Sequence, residues 1–271
     1  MRSAVELATG EGFGVSAVYC REDRPGWSAG EERTGYGVVL VRRGRFRRRW
    51  RGAEVGADPA LGYVSVPGDE ERFAHPHGGD VCTSITVSEE LWHATAGEGP
   101  LTAERGVYVD ARLELAHRRC LAAVGDVRFA LAEELLELLA GTVRRLTDRP
   151  VPAAAPPGDR ALVTAAREAV AAEHPAAEGL FPLAALLGVS PYRLSRAFPR
   201  ELGVSLTRYR NRARVGRALD RLAAGETDLA ALAADLGFAD QAHLTRTVRA
   251  HLGHTPATLR SLASKGALLP L

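Results

Sequence analysis

The spacing of hydrophobic positions divides the chain into two parts. Between residues 10 and 110, short apolar runs of strand length alternate with turn residues. The clearest runs lie at residues 37–41, 63–66, 81–87 and 106–109, with a break at Pro67-Gly68. Many short strands separated by turn residues are typical of a β-sandwich or a small barrel. We therefore expect a β-rich first part.

One segment of this part is rich in arginine. Residues 42–45 (Arg-Arg-Gly-Arg) predict a turn, and residues 46–51 a returning strand that carries further arginines. Such a run is compatible with nucleic-acid binding. A β-hairpin with one arginine-rich, solvated face is the simpler interpretation, and we prefer it.

From residue 126 onward the apolar spacing becomes helical. Leu131, Leu135, Leu138 and Thr142 recur at four-three-four spacing within residues 126–147, with further apolar residues beside them. This wide stripe either packs on its own domain, which we prefer, or contacts a second copy of the chain.

Prolines mark the boundary that follows. Residues 150–158 (Pro-Val-Pro-Ala-Ala-Ala-Pro-Pro-Gly) exclude a continuing helix and predict a semi-rigid linker. A helical pattern resumes over residues 160–173. The expected order is a β domain (1–115), a helical dimerisation or packing segment (116–149), a linker (150–159), an all-α domain (160–262) and a tail (263–271).

The all-α domain contains an internal repeat. Residues 183–188 (Leu-Ala-Ala-Leu-Leu-Gly) recur 49 residues later as 232–237 (Leu-Ala-Ala-Asp-Leu-Gly). Residues 194–198 recur 50 residues later as 244–248, so the second copy has one additional residue at the turn. Turns tolerate such insertions.

Each copy predicts a helix, a tight turn and a second helix. Gly188 and Gly237 can adopt the positive φ that ends a first helix, and Ser190 and Asp240 can cap the second. This is the helix-turn-helix signature, whose second helix enters the DNA major groove.

An arginine-rich helix over residues 206–224 connects the copies. Its arginines are Arg208, Arg210, Arg212, Arg214, Arg217 and Arg221. If it holds the two units as one body, their second helices can reach major grooves about 34 Å apart.

Charge and composition are consistent with this interpretation. The net charge is +2, but residues 159–271 carry +5 and residues 1–158 carry −3, so the C-terminal half can hold phosphate. No apolar run has membrane-spanning length and the N-terminus lacks a signal pattern, so we expect a cytoplasmic protein. Three widely spaced cysteines do not predict a disulfide framework.

On these motifs, residues 160–262 resemble the AraC/XylS family of bacterial transcription regulators. The most specific stretch is residues 232–256 with Leu259-Arg260, and residues 190–198 with Gly203 fit as well. The resemblance implies a sequence-specific DNA-binding regulator rather than an enzyme. Its candidate partners are double-stranded DNA, a small-molecule or metal effector, RNA polymerase and a second copy of the chain.

The resemblance also implies which residues contact DNA. The base-facing positions are Tyr192, Ser195 and Arg196 in the first unit, and Gln241, Ala242, Thr245 and Arg246 in the second. Arginine can bind guanine, glutamine can pair with adenine, and alanine can contact the thymine methyl group. Arg193, Arg200 and Arg249 are expected on phosphates.

Two positions depart from the family pattern. Pro199 stands where the family usually has a basic residue, and we expect it to bend or shorten its helix and to remove a phosphate contact. Val248 replaces the usual phenylalanine, so the core of the second unit should be smaller there.

Family members often carry an N-terminal β-barrel, and the first part resembles this cupin-like arrangement in outline. The overall fold class is thus α+β, with a cupin-like barrel, a trailing helix and an all-α domain with two helix-turn-helix units. Cupins commonly hold a metal with a His-x-His pair. His75 and His77, with Cys82 and Cys20, are candidate ligands for zinc or another borderline-soft ion.

One alternative to the ligand-responsive regulator remains open. It is a cupin-type metal-dependent enzyme, or a metal or thiol sensor, with an appended DNA-binding module. The candidate metal ligands also have a structural interpretation, with surface histidines in a loop and a small buried Cys82. A DNA-repair methyl acceptor would need a cysteine-dense zinc site, which three scattered cysteines do not supply.

Overall fold

The computed structural model describes residues 2–21, 25–97, 106–147 and 158–268. These residues form two compact units, one within residues 2–147 together with 266–268, and one within residues 158–265. Apart from its last two residues, the predicted linker over 150–159 lies outside the described part of the chain.

Two antiparallel sheets build the first unit. The strands are β1 (Arg2–Gly10), β2 (Phe13–Cys20), β3 (Glu31–Glu32), β4 (Tyr36–Arg43), β5 (Phe46–Trp50), β6 (Ala53–Ala57), β7 (Leu61–Ser65), β8 (Glu70–Ala74), β9 (Asp80–Val87) and β10 (Gly106–Tyr108). Over the described residues, one sheet has the order β1-β2-β9-β4-β7-β10 and the other β3-β8-β5-β6. The predicted β-rich first part is confirmed.

Three helices cover one face of the larger sheet: α1 (Glu89–Ala96), α2 (Ala111–Ala122) and α3 (Ala130–Thr147). Strand β4 explains how the layers form, because its side chains alternate between the two faces. Val38 and Leu40 pack in the core with α2 and α3. Val39 and Val41 face the second sheet. A strand buried on both faces needs the continuous apolar run that the sequence shows.

Helix α3 packs on its own unit through the predicted stripe. Leu131, Leu135, Leu138 and Thr142 are all buried. Leu136 on the opposite side is exposed. The stripe thus supplies the core of this unit, as we preferred.

The predicted hairpin over residues 37–51 is wrong. β4 pairs with β7 and β9, whereas β5 pairs with β6 and β8. Gly44, at φ 76°, instead turns the chain from one sheet into the other. The solvated arginine face is wrong in part, because Arg48 points inward and is buried.

The second unit is all-helical within the described residues. It contains α4 (Asp159–Ala171), a 3-10 turn (Pro175–Glu178), α5 (Leu180–Leu186), α6 (Pro191–Leu202), α7 (Leu206–Ala223), α8 (Leu229–Asp235), α9 (Gln241–Leu252) and α10 (Pro256–Ser264). The predicted all-α architecture is confirmed.

The internal repeat is structural as well as sequential. Equivalent residues fill equivalent core positions in α5–α6 and α8–α9. The buried pairs are Leu183 and Leu232, Ala184 and Ala233, Leu194 and Leu244, Phe198 and Val248, and Leu202 and Leu252. From residue 194 to 200, the pattern of buried and exposed positions is the same as from 244 to 250.

The predicted turn chemistry is also confirmed. Gly188 and Gly237 have φ values of 65° and 70°. The Ser190 hydroxyl accepts a hydrogen bond from the Arg193 amide, and the Asp240 carboxylate accepts one from the His243 amide. These caps fix where the second helix of each unit begins.

Pro199 does not shorten its helix, so that part of our expectation is wrong. Helices α6 and α9 both have 12 residues. Pro199 is exposed, and its carbonyl accepts the amide of Gly203, which ends the helix in the left-handed conformation. The carbonyl that loses its helical donor belongs to Ser195, which is half-buried.

Candidate nucleic-acid interface and N-terminal cavity

Helix α6 presents a polar, exposed edge above a buried face. Tyr192 is 74% exposed, an unusual position for a large aromatic side chain. Arg196 is exposed on the same helix, and Ser195 is half-buried with its hydroxyl donating to the Tyr192 carbonyl. These three predicted base-facing residues lie on the accessible part of α6.

Helix α9 repeats the arrangement with different side chains. Gln241, Ala242 and Arg246 are exposed, and Thr245 is half-buried. Arg249, the predicted phosphate contact, is exposed one turn further along. The second helix-turn-helix copy therefore offers an amide, a methyl and a guanidinium group from one accessible edge of α9. Such a set can read base edges in the major groove.

The other two predicted phosphate contacts are engaged by a residue that sequence reasoning missed. Asp159, the first residue of α4, is 1% exposed. Its carboxylate lies 3.7 Å from Arg193 Nε and 3.3 Å from Arg200 Nη1. Both arginines remain nearly half exposed, so they can still contact an anion. Through these two ion pairs, Asp159 ties helix α6 to the start of α4.

Several arginines of α7 hold the second unit together. Arg212 is buried. Arg214 lies over the ring of Phe238 at 5.5 Å, and burial lowers its pKa. Arg217 pairs with Glu173, and Arg221 pairs with both Glu226 and Asp235. These side chains support the predicted role of α7 as the connection between the two helix-turn-helix copies.

A cavity of about 200 Å³ lies between the two sheets of the first unit. Val18, Val39, Phe46, Tyr63 and Phe73 form the apolar and aromatic part of its wall, and polar and charged side chains form much of the rest. A concave, mostly apolar pocket with a few polar groups is the usual form of a small-molecule site.

A charged network borders this cavity. Glu71 is fully buried and pairs with Arg48 and, at 2.6 Å, with Arg33. The Arg48 guanidinium lies 4.2 Å from the centre of the Tyr63 ring. Burial raises the pKa of the Tyr63 hydroxyl above its usual range, so this wall stays neutral at the phenol. Sequence reasoning missed Glu71 because its partners come from distant strands.

Of the four candidate metal ligands, the structure brings two together. Cys20 and His75 form a group with Asp80 in which the three ligand atoms lie within 4.8 Å of one another. His77 is exposed and Cys82 is buried, and neither belongs to this group. The predicted set is therefore corrected: the candidate third ligand is Asp80.

Cys82 nevertheless supports the group. Its Sγ lies 3.2 Å from Asp80 Oδ1 and donates a hydrogen bond to it. Burial, reinforced by the Asp80 charge, raises the pKa of the Cys82 thiol well above its usual range, which keeps it protonated. A protonated thiol is not a metal ligand.

The group around His75 attracts positive charge. Its Nδ1 lies 2.6 Å from Asp80 Oδ2. This close polar contact, followed by that with Cys20, raises the pKa of His75 to about 9. One signal for Asp80 was available only with the strand register known, since Cys20 of β2 and Asp80 of β9 are direct partners in the ladder.

Comparison with known protein families matches part of the second unit. Residues 183–261 match the family model described as a helix-turn-helix domain. No curated protein matches the sequence significantly.

Among solved structures, ToxT from Vibrio cholerae, with an unsaturated fatty acid bound, aligns over 93% of this chain and 95% of its own, with 10% identity and a TM-score of 0.39. An AraC-type transcriptional regulator from Chromobacterium violaceum aligns over 40% of this chain and 96% of its own, with 25% identity and a TM-score of 0.36. A cupin superfamily protein from Desulfitobacterium hafniense aligns over 33% of this chain and 79% of its own, with 15% identity and a TM-score of 0.29.

The matched family model spans both copies of the repeat, from the first core leucine of α5 to the last turn of α10. The caps, the turn glycines and the paired cores described above are those that the helix-turn-helix motif requires. Residues 183–261 therefore form a helix-turn-helix domain.

Proposed function

We propose that the protein is a sequence-specific transcription regulator that inserts α6 and α9 into successive major grooves. One observation carries this proposal. Two equivalent, capped helices in one compact unit expose polar residues at equivalent positions, above equivalent buried faces. A single DNA-reading helix would not need the second set of exposed polar residues.

The two helices have different reading chemistry. On α6, Tyr192 can contact a base edge and Arg196 can bind guanine. On α9, Gln241 can pair with adenine, Ala242 can contact thymine and Arg246 can bind guanine. We expect α9 to discriminate more strongly, because it combines a long amide with a guanidinium group. Arg193, Arg200 and Arg249 supply the phosphate contacts that fix the orientation.

In this proposal the first unit is the regulatory part. The cavity between its sheets binds a small effector, and the unit also mediates homodimer formation. Bound at a promoter, the protein acts in the cytoplasm on RNA polymerase, and the first unit regulates rather than catalyses. The support for effector binding is the cavity between the sheets, which combines an apolar and aromatic wall with polar and charged side chains.

In vitro selection from a random DNA pool with the full-length protein tests the DNA-binding part. The proposal expects enrichment of a motif with two conserved segments centred about 10 base pairs apart. Enrichment of no motif, with binding that is equal on all sequences and lost at moderate salt, would mean that the basic unit holds DNA only through its phosphates.

A further inference from the structure

We propose that Cys20, His75 and Asp80 form a binding site for a zinc-class divalent metal ion at the edge of the cavity in the first unit. All three residues line that cavity. The proposed metal site does not depend on the proposed DNA-binding function.

The position of the three residues links both sheets. Cys20 ends β2 and Asp80 begins β9, so both belong to the larger sheet, where they are directly opposite each other. His75 directly follows β8 of the smaller sheet. An ion held by all three would fasten the smaller sheet to the larger one beside the cavity.

Two of the three ligand atoms are buried and contact each other. His75 Nδ1 and Asp80 Oδ2 lie 2.6 Å apart, yet neither has a partner of proper hydrogen-bond geometry among the described residues. The Asp80 side chain is only 2% exposed. Buried polar atoms are nearly always hydrogen-bonded, and this pair has only its mutual contact, which lies outside regular hydrogen-bond geometry, so an ion placed between the two atoms would gain both as ligands.

The geometry accommodates a tetrahedral ion after small side-chain rotations. Bonds of roughly 2.0–2.3 Å place zinc ligand atoms about 3.3–3.8 Å apart. The observed atoms lie within 4.8 Å of one another. Cys20 is the last residue of β2 and Asp80 the first residue of β9, and His75 lies in a connecting segment. Their side chains can therefore rotate with little change to the sheet.

The ligand types and charges also fit. One thiolate and one carboxylate would neutralise a divalent cation, and the imidazole of His75, once the ion displaces its proton, would complete a sulfur, nitrogen and oxygen set that zinc accepts. The nearby Arg2 and Arg33 are already paired with Glu31 and Glu71. The thiol of Cys82 donates a hydrogen bond to the other carboxylate oxygen, Asp80 Oδ1, and so helps to orient this carboxylate.

Three protein ligands would leave one position of a tetrahedral ion open, and all three residues line the cavity. Structural zinc sites usually have four protein ligands, whereas sites with three keep a position for water or a small molecule. The site therefore takes zinc with a water molecule or an effector donor atom as the fourth ligand.

Cobalt titration of the metal-free, full-length protein under reducing conditions tests the site. We expect one Co²⁺ per chain, with intense visible bands of tetrahedral cobalt and a near-ultraviolet thiolate-to-cobalt band, all displaced by zinc. Cys20→Ser should abolish the thiolate band, and Asp80→Asn or His75→Gln should weaken binding at least about tenfold.

Two control variants test the assignment of ligands. Cys82→Ser keeps a donor to Asp80 and His77→Gln changes a neighbour outside the group, so both should retain the thiolate band. Absence of the band in the wild type, its persistence in Cys20→Ser, or its loss in Cys82→Ser would overturn the proposed site.

A measurement on the wild-type chain covers the case in which Cys20→Ser fails to fold. Zinc should slow alkylation of Cys20 by iodoacetamide, followed by mass spectrometry of the digested protein, and should leave the rate at other thiols unchanged. Equal alkylation of Cys20 with and without zinc would contradict the proposal.

Discussion

Arg200 of helix α6 and Asp159 of helix α4 form an ion pair with a separation of 3.3 Å between Nη1 and Oδ2. Arg193 joins the same carboxylate, so one buried acidic residue holds two arginines of the first recognition helix. The second helix-turn-helix copy, α8–α9, lacks this arrangement, since His243 and Ala250 occupy the positions equivalent to Arg193 and Arg200. The two copies are thus supported differently.

Replacement of Asp159 tests this support. We expect Asp159→Asn to lower the stability of the second unit by about 1–2 kcal/mol, a value below that of a fully buried pair because both arginines are half exposed. The control is Asp235→Asn, which removes an exposed partner of Arg221 and should cost less than about 0.5 kcal/mol. Equal effects of the two substitutions would contradict the assigned role of Asp159.

The tryptophans make this measurement specific. Trp27, Trp50 and Trp92 all lie in the first unit, so tryptophan fluorescence in urea follows that unit alone. The part of the far-ultraviolet helix signal that does not follow the fluorescence reports the second unit, and each transition can be fitted separately.

Arg246 and Arg249 test the difference between base and phosphate contacts on α9. Both are exposed, so their truncation should leave the fold intact. Arg246→Ala should cost about 1–3 kcal/mol on the selected site and relax preference at one base pair. Arg249→Ala should weaken binding to all sequences alike and reduce the salt slope by about one. Fluorescence anisotropy on single-base variants of the site distinguishes these outcomes; an equal loss on every sequence for Arg246→Ala would make it a phosphate contact.

The two turn glycines provide a matched pair. Gly188 and Gly237 both have positive φ, so alanine at either position should cost about 1 kcal/mol. A Cβ at Gly188 would meet open space, whereas one at Gly237 would lie 2.7 Å from Arg214 Nη2. Gly237→Ala should therefore cost about 0.5–1 kcal/mol more, because Arg214 must leave its position over Phe238. Urea unfolding of the second unit measures both, and a smaller cost at Gly237 would show that the Arg214 contact does not matter.

His117 predicts how the first unit responds to acid. The ring is buried, and Nε2 lies 2.7 Å from the Thr83 hydroxyl, which already accepts a hydrogen bond from Arg42. Desolvation, with the charges of Arg42 and Arg118, lowers the pKa of His117 to about 3. The unfolded chain instead binds a proton near its ordinary pKa of about 6.5, so stability present above that pH is lost as the pH falls toward 3.

His117→Gln removes this titration and keeps an acceptor for the Thr83 hydroxyl. Between pH 7 and pH 5 the wild-type first unit should lose roughly 2 kcal/mol more stability than the variant. Urea unfolding followed by tryptophan fluorescence at both pH values gives the difference. A pH dependence that is identical in the two proteins would place the acid sensitivity elsewhere.

Local chemistry made the second unit predictable from the sequence. Gly188, Gly237, Ser190 and Asp240 act on their own turns, so their effects do not depend on distant residues. The structure reproduces all four. The unshortened helix at Pro199 was not predictable, because the exposure of that position depends on how α6 packs.

Long-range pairing was what the sequence left undetermined in the first unit. The apolar run of β4 predicts a strand, but its partners β7 and β9 are far away in sequence, so the neighbouring β5 was assigned to the wrong sheet. The same limit hid the Arg48–Glu71 pair and the approach of Asp80 to Cys20, which depends on the register of β2 with β9.

Hydroxyl-radical footprinting of the full-length protein on a selected DNA site tests the central claim most directly. The account predicts two protected segments about one helical turn apart on the same face of the DNA. Arg196→Ala should weaken one segment and Arg246→Ala the other, with the fold of both variants unchanged. A single protected segment, or two that respond equally to both substitutions, would contradict the reading of DNA by two separate recognition helices.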